Sequence, residues 1–313
     1  MRIGFIGLGA MGAPMARRLV EAGHHVTGFD LRGSAVQALV AAGGHAAESA
    51  AQAAQGADLL WLMVVSGEQA ASVLFDGEAG TITATTTATS LAAALPRGTI
   101  VVAACTQAPA KAAALAARLG AIGLPMLDAP VSGGVAGALA GTLSIMCSGD
   151  EAIIARARPL FDAVGKRFFD VGRQAGMGST AKMVNQLLCG VHIAAAAEAM
   201  HVAERAGLSL PAMHEIISVS AGNSWMWGDR GPRMMVSDPP VTSAVDIFIK
   251  DLGIVLDQGR LARQGLPLSA AAMQMFIAAS GLGHGQADDS QVIRAYRALN
   301  GDGVKPAATK PPG

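Results

Sequence analysis

The chain opens on Ile3-Gly4-Phe5-Ile6-Gly7-Leu8-Gly9-Ala10-Met11-Gly12, a short apolar run that breaks into glycines spaced G-x-G-x-x-G. The run before the glycines reads as a strand, and Ala10 to Ala22 reads as a helix stopped by Gly23. Val26-Thr27-Gly28-Phe29 is a second strand, and Asp30 ends it, 18 residues beyond Gly12. This order of strand, glycine turn, helix, strand and acid is the fingerprint of a dinucleotide-binding turn. Gly7 permits the tight turn, Gly9 lets backbone approach a pyrophosphate, and Gly12 allows the helix to pack closely on the strand. The helix start then faces the phosphates. Asp30 accepts hydrogen bonds from ribose hydroxyls and repels a 2′-phosphate, which points to NAD. Arg32, two residues on, could meet a phosphate and keeps NADP open.

Outward from this turn the pattern repeats. A helix is expected from Ser34 to Val40, and strands at Leu59 to Val65, Ile100 to Val102 and Met126-Leu127, with helices between them. Such alternation predicts an α/β domain, a doubly wound, mostly parallel sheet covered on both faces. Leu143 to Cys147 and Arg167 to Val171 extend the sheet at its far edge. After Gly172 the strand signal disappears. One helix of about 30 residues spans Gly176 to Ala206 and stops at Gly207. Further helices follow at Pro211 to Val219, Val245 to Gln264, Leu268 to Ala279 and Ser290 to Leu299. The expected division is therefore 1–172 as a nucleotide-binding domain and 173–300 as an all-α substrate and dimerisation domain. The tail 301–313, with three prolines and three glycines, is expected to be disordered.

Composition narrows the partners. Lysine plus arginine and aspartate plus glutamate number 23 each, so no global field draws the chain to nucleic acid or anionic lipid. Cys105, Cys147 and Cys189 are far apart in apolar contexts, without a Cys-x-x-Cys pair, so neither a disulfide framework nor a zinc cluster is indicated, and a reducing, cytoplasmic setting fits. No His, Asp and Glu cluster has ligand spacing, so no metal is expected. The first residues lack a leader's cleavage pattern, since the run is glycine-dense and followed by Arg17-Arg18. Gly190 to Met200 is alanine-rich, but His192 and Glu198 interrupt it. A membrane span needs ~20 nearly unbroken apolar residues, so a buried helix is expected.

Three further stretches carry chemistry. Asp128-Ala129-Pro130-Val131-Ser132-Gly133-Gly134 follows a strand; its hydroxyl and successive N–H groups read equally as an anion nest or as an ordinary turn. On the long helix Gly178, Lys182, Asn185 and Gln186 share a face through i,i+3 and i,i+4 spacing. Lys182 is one of six lysines and lies amid apolar residues, where a depressed pKa suits proton transfer; a surface lysine is the alternative. The glycines before it imply that something approaches the helix start closely. Lys250-Asp251-Leu252-Gly253, with Asp257 seven residues after the lysine, reads by spacing alone as a solvated helix face.

Together, in this order and spacing over residues 1 to 300, the four elements resemble the β-hydroxyacid dehydrogenase family, which includes 3-hydroxyisobutyrate and 6-phosphogluconate dehydrogenases. The resemblance implies an N-terminal Rossmann domain, a helical C-terminal domain that helps form a homodimer or homotetramer, and a small hydroxy acid as substrate. It makes Lys182 the catalytic acid/base, with Asn185 or Gln186 placing the reacting hydroxyl. Ser132, Gly133 and Gly134 would bind the substrate carboxylate, and Thr106 would stand beside nicotinamide and substrate. Met11, Val64 and Lys250 would line the cofactor. Gln186 departs from the common pattern, in which many members carry a second asparagine; glutamine keeps both donor and acceptor with longer reach. Val191-His192-Ile193, Gly222-Asn223-Ser224-Trp225-Met226, Ser243 to Phe248 and Asp288-Asp289-Ser290 resemble a subgroup acting on four-carbon aldonates. They imply oxidation at C2 of an acid such as L-threonate, with Asn223 and Trp225 near the substrate. Trp225 and Trp227 read equally well as core packing. The alternatives are 3-hydroxyisobutyrate or tartronate semialdehyde as substrate, or a dinucleotide-binding sensor without catalysis.

Overall fold

A computed structural model describes residues 1–76 and 90–301. The tail expected to be disordered lies outside the described residues, apart from Gly301. By contact density the chain divides into two compact units, 1–183 and 184–313, and the boundary falls inside the long helix Met177–Arg205.

The first unit is built on one sheet. Its strands are β1 (Arg2–Ile6), β2 (His25–Phe29), β3 (His45–Ala46), β4 (Leu59–Leu62), β5 (Ile100–Ala103), β6 (Met126–Asp128), β7 (Val131–Ser132), β8 (Leu143–Ser148) and β9 (Gly165–Gly172). Their order is β3-β2-β1-β4-β5-β6-β8-β7, with β9 paired to β8. From β3 to β6 every pairing is parallel, and β8 enters antiparallel to β6. Strand order reverses at β1, whose Ile6 pairs with Phe29 on one side and Leu62 on the other. In an open α/β sheet this switch point is where a crevice opens at the strand ends. β4 and β5 are buried at every position, as expected for strands covered on both faces. Two cores flank the sheet: Phe5, Trp61 and Phe161 lie in one, Leu60, Leu62 and Leu74 in the other.

Every strand read from the apolar runs is present, though β4 stops at Leu62, three residues before Val65. The two-residue strands β3 and β7 left no legible signal, because two residues cannot display an alternation.

The second unit is helical: the remainder of Met177–Arg205, then Leu210–Ser218, Trp225–Met234, Val245–Leu261, Pro267–Ala279 and Ile293–Leu299. The helix Trp225–Met234 was not anticipated, since Gly228, Gly231 and Pro232 disguise its period. Arg263 (φ 54°) ends Val245–Leu261 three residues ahead of the expected Gln264. Met177–Arg205 is long and apolar enough by composition to cross a membrane, yet half of its most apolar stretch is buried in the protein.

The core of this unit contains charge. Arg230 donates to buried Asp289 through Nε (2.8 Å) and Nη2 (2.9 Å), while Arg233 reaches Asp288 (2.8 Å) and both arginines contact Asp229. The fork geometry satisfies a carboxylate that burial would otherwise penalise heavily. Truncating one partner leaves the other charge buried. Asp289→Ala is therefore expected to lower unfolding free energy by about 3 kcal/mol or more in urea denaturation.

Candidate active site

The glycine turn sits at the end of β1. Gly7 N donates to Phe29 O (3.0 Å), and its φ of 93° is one that side-chain-bearing residues rarely adopt. A Cβ on Gly7 would lie 2.4 Å from Met63 O, and one on Gly12 only 1.9 Å from Gly7 O. These two glycines are therefore required by the protein's own backbone. Gly9 differs: its Cβ would meet only Arg32 Nη2, at 3.6 Å. The helix Gly12–Glu21 starts with no side-chain cap and no acid in its first turn. Uncapped N–H groups, the positive end of the helix dipole and open space at Gly9 together fit a dinucleotide pyrophosphate.

Asp30 is already engaged. Its Oδ2 accepts from Leu8 N (2.8 Å), and Oδ1 accepts from Arg32 N (2.9 Å) and Arg32 Nε (3.2 Å). Burial pushes its carboxyl up, but the Arg32 and Leu8 donors outweigh burial and hold it below the usual carboxylate range. The same carboxylate thus staples the glycine turn to the loop after β2 and keeps lone pairs for a ribose hydroxyl. Val64 and Thr106, both half-buried, follow β4 and β5 at the same end of the sheet.

Ser132 lies in β7, and the next two residues, Gly133 (φ 132°) and Gly134 (φ 61°), turn the chain into the helix Gly134–Ala140. Successive N–H groups in such a turn form a concave donor surface. Asp128, the first residue of the same stretch, does something different. It is fully buried and accepts from Gly176 N (3.0 Å), Ser179 N (2.7 Å) and Ser179 Oγ (2.7 Å). Burial raises its pKa despite these three donors. Ser148 Oγ accepts from Gly178 N (3.0 Å). A Cβ on Gly178 would lie 2.3 Å from Asp128 O and 2.6 Å from Met146 O. The partner that the helix-start glycines admit is therefore the sheet itself. Asp128 and Ser148 lock the first turn of Met177–Arg205, and Lys182, only 7% exposed, stands one turn further on. The anchoring role of Asp128 was not read from the sequence; a buried acid opening a glycine-rich loop was the available signal.

In the second unit, Asn185 Nδ2 donates to Gln186 Oε1 (2.9 Å) and to Cys189 Sγ (3.3 Å). Gln186 Nε2 donates to Asp251 Oδ2 (2.5 Å), whose other oxygen takes Lys250 Nζ (2.5 Å). The Lys250-Asp251 pair is thus no solvated face: Asp251 is 2% exposed, whereas Asp257 fits that description at 73%. Asn223 is outside this row; it is exposed and donates to Ser218 O (2.9 Å), closing the preceding helix. Trp227 is core, its ring stacked on His214 and its Nε1 donating to His214 O, while Trp225 is 60% exposed. Among the described residues no group of three His, Cys, Asp or Glu could hold a metal ion.

Comparison with known proteins agrees with this geometry. Residues 2–172 match the model of the NAD-binding domain of 6-phosphogluconate dehydrogenase, and residues 176–296 match that of the NAD-binding region of NADP-dependent 3-hydroxyisobutyrate dehydrogenase. The L-threonate dehydrogenase of Cupriavidus necator is 45% identical, covering 94% of this chain and 95% of its own. That of Escherichia coli K12 is 40% identical, with 97% of each covered. A crystal structure of a 3-hydroxyisobutyrate dehydrogenase from Salmonella typhimurium superimposes with a TM-score of 0.86 at 42% identity, covering 93% of this chain and 98% of that one.

The two kinds of glycine separate by experiment. Gly12→Ala should lose both stability and dinucleotide binding. Gly9→Ala should keep its melting temperature to within a degree or two, yet weaken NADH binding about tenfold or more by fluorescence titration.

Proposed function

This chain belongs to the β-hydroxyacid dehydrogenase family of NAD(P)-dependent oxidoreductases acting on CH–OH groups, and we propose that it oxidises L-threonate at C2 to the 2-keto acid. One observation carries the reaction: Lys182 is buried one turn beyond a helix start locked to the sheet by Asp128. The substrate is supported by the names of relatives 40–45% identical over nearly the whole chain.

Ser132 and the N–H groups of Gly133 and Gly134 hold the carboxylate, and Thr106 stands beside the reacting carbon. Lys182 takes the hydroxyl proton through Nζ; because its helix start is clamped, the backbone that carries this side chain is held in place, which is where positioning contributes to rate. A bound nicotinamide would supply the hydride acceptor. The glycine turn with Met11 and Val64 seats the dinucleotide, and Lys250 is assigned to cofactor contact as well. Asn223 and Trp225 lie in the stretch we assign to substrate contact. We assign residues 1–172 as the nucleotide-binding domain, which also supplies the carboxylate loop, and the helical residues 173–300 as the domain of the remaining substrate contacts and of the dimer contacts, the whole acting as a cytoplasmic homodimer or homotetramer.

A second reading, 3-hydroxyisobutyrate as substrate, is favoured by the Salmonella structure. Steady-state assays divide the two: kcat/KM for L-threonate should exceed that for 3-hydroxyisobutyrate by at least tenfold, and equal values would sink the threonate assignment. In the same assays Lys182→Ala should bind NADH normally and lose at least a hundredfold in turnover; unchanged turnover would remove Lys182 from the mechanism.

We also propose NAD over NADP. The depressed carboxyl of Asp30 remains charged throughout the neutral range and repels a 2′-phosphate. Replacing it by serine removes that charge and releases Arg32. The NADP/NAD ratio of kcat/KM should then rise about tenfold or more, and an unmoved ratio would show that Asp30 does not discriminate.

A further inference from the structure

Asp251 was expected to be solvent-facing and instead is buried and anchors a row of three polar side chains, Lys250, Gln186 and Asn185. Its Oδ1 takes the Lys250 ammonium and its Oδ2 takes Gln186 Nε2, both at 2.5 Å. A carboxylate facing an ammonium offers acceptors only. The Gln186 amide must therefore turn its nitrogen to Asp251 and its oxygen the other way. That oxygen can meet only a donor, and Asn185 supplies Nδ2 at 2.9 Å. The second Nδ2 hydrogen is placed on Cys189 Sγ at 3.3 Å. The direction of every bond in this row follows from one buried charge.

Asn185 thereby commits both donors within the protein, and its half-buried side chain has Oδ1 to offer a ligand. A hydroxyl carries one hydrogen, and on the reading above the reacting hydroxyl gives that hydrogen to Lys182. An acceptor at Asn185 consequently needs a different hydroxyl. We propose that Asp251, acting through Gln186, makes Asn185 an acceptor for a second, non-reacting hydroxyl of the substrate, and so sets a preference for polyhydroxy over monohydroxy acids. Asp251 and Gln186 are positioning residues in this scheme, and within the row it is Asn185 that touches substrate. The inference rests on the assignment of Lys182 as base. It replaces the expectation that Asn185 or Gln186 handles the reacting hydroxyl.

The test compares kcat/KM for L-threonate with that for 2-hydroxybutyrate of the same C2 configuration, which has the same four carbons and only the reacting hydroxyl. Cofactor effects passing through Lys250 act on both acids and cancel in the ratio. Asp251→Asn lets the Gln186 amide reverse, and the threonate/hydroxybutyrate ratio should fall about tenfold, the worth of one directed hydrogen bond. Gln186→Met breaks the relay while keeping the Asp251–Lys250 pair, and should reduce the ratio equally even where Asp251→Asn folds poorly. The double variant Gln186→Glu/Asp251→Asn moves the acceptor-only carboxylate along the row and keeps Asn185 donating to it, so the ratio should recover. A purely structural role for Asp251 would show no such recovery. Unchanged ratios in both single variants, with melting temperatures near that of the parent, overturn the proposal. Failure of the threonate assignment appears separately, in the comparison of the unmodified enzyme on L-threonate and 3-hydroxyisobutyrate. Should another polyhydroxy acid be the better substrate, the same ratio is taken with its monohydroxy counterpart; a monohydroxy acid as best substrate overturns the proposal outright.

Discussion

A carboxylate with no water around it has to be satisfied by the protein, and Asp128 shows how much structure one such group can organise. It lies at the end of β6 with no exposed surface and takes the Ser179 hydroxyl and two N–H groups, Gly176 N and Ser179 N, at the start of the helix Met177–Arg205. Those N–H groups are the ones a helix leaves without intrahelical partners, so one contact satisfies both the buried acid and the helix start. Gly176 and Gly178 bring the helix against backbone at distances no side chain would tolerate. The result is a helix whose first turn is held by the sheet, with Lys182 carried one turn beyond. A general base gains from being held in place as much as from its basicity.

The nucleotide end of the same unit follows similar logic with opposite charge. Here the helix start is left uncapped, so its donors remain available to an anion. The neighbouring acid, Asp30, is spent partly on Leu8 N and thus shapes the loop. One helix start is satisfied by an anion of the chain itself, and on the proposed reading the other receives an anion of the cofactor.

Charge is also buried in the helical unit, in two arrangements with different consequences. The Arg230, Arg233, Asp288 and Asp289 cluster is closed on itself through forked contacts, which contributes order to a core built from helices with weak periodicity. The Asp251 row is open at one end, because Asn185 is half-buried. A closed network can only hold structure; an open one can also dictate what the last member offers to a ligand.

The sequence by itself determined the class of fold, most element boundaries and the dinucleotide turn. These rest on local periodicity and on glycines whose backbone needs are set by near neighbours, and both survive in a one-dimensional reading. Family-specific motifs also brought Lys182, Ser132 and Lys250 forward as candidates. Tertiary structure alone decided which polar groups are buried and in which direction their hydrogen bonds run. Asp128 and Ser179 are 51 residues apart, and Gln186 and Asp251 are 65 apart. Spacing cannot reveal such pairings, so Lys250-Asp251 read as a wet helix face, while the Trp225–Met234 helix went unseen because its glycines and proline blur the period. Whether a carboxylate is solvated or desolvated depends on what the fold packs around it, and that burial is what turns a common residue into one that orients its neighbours.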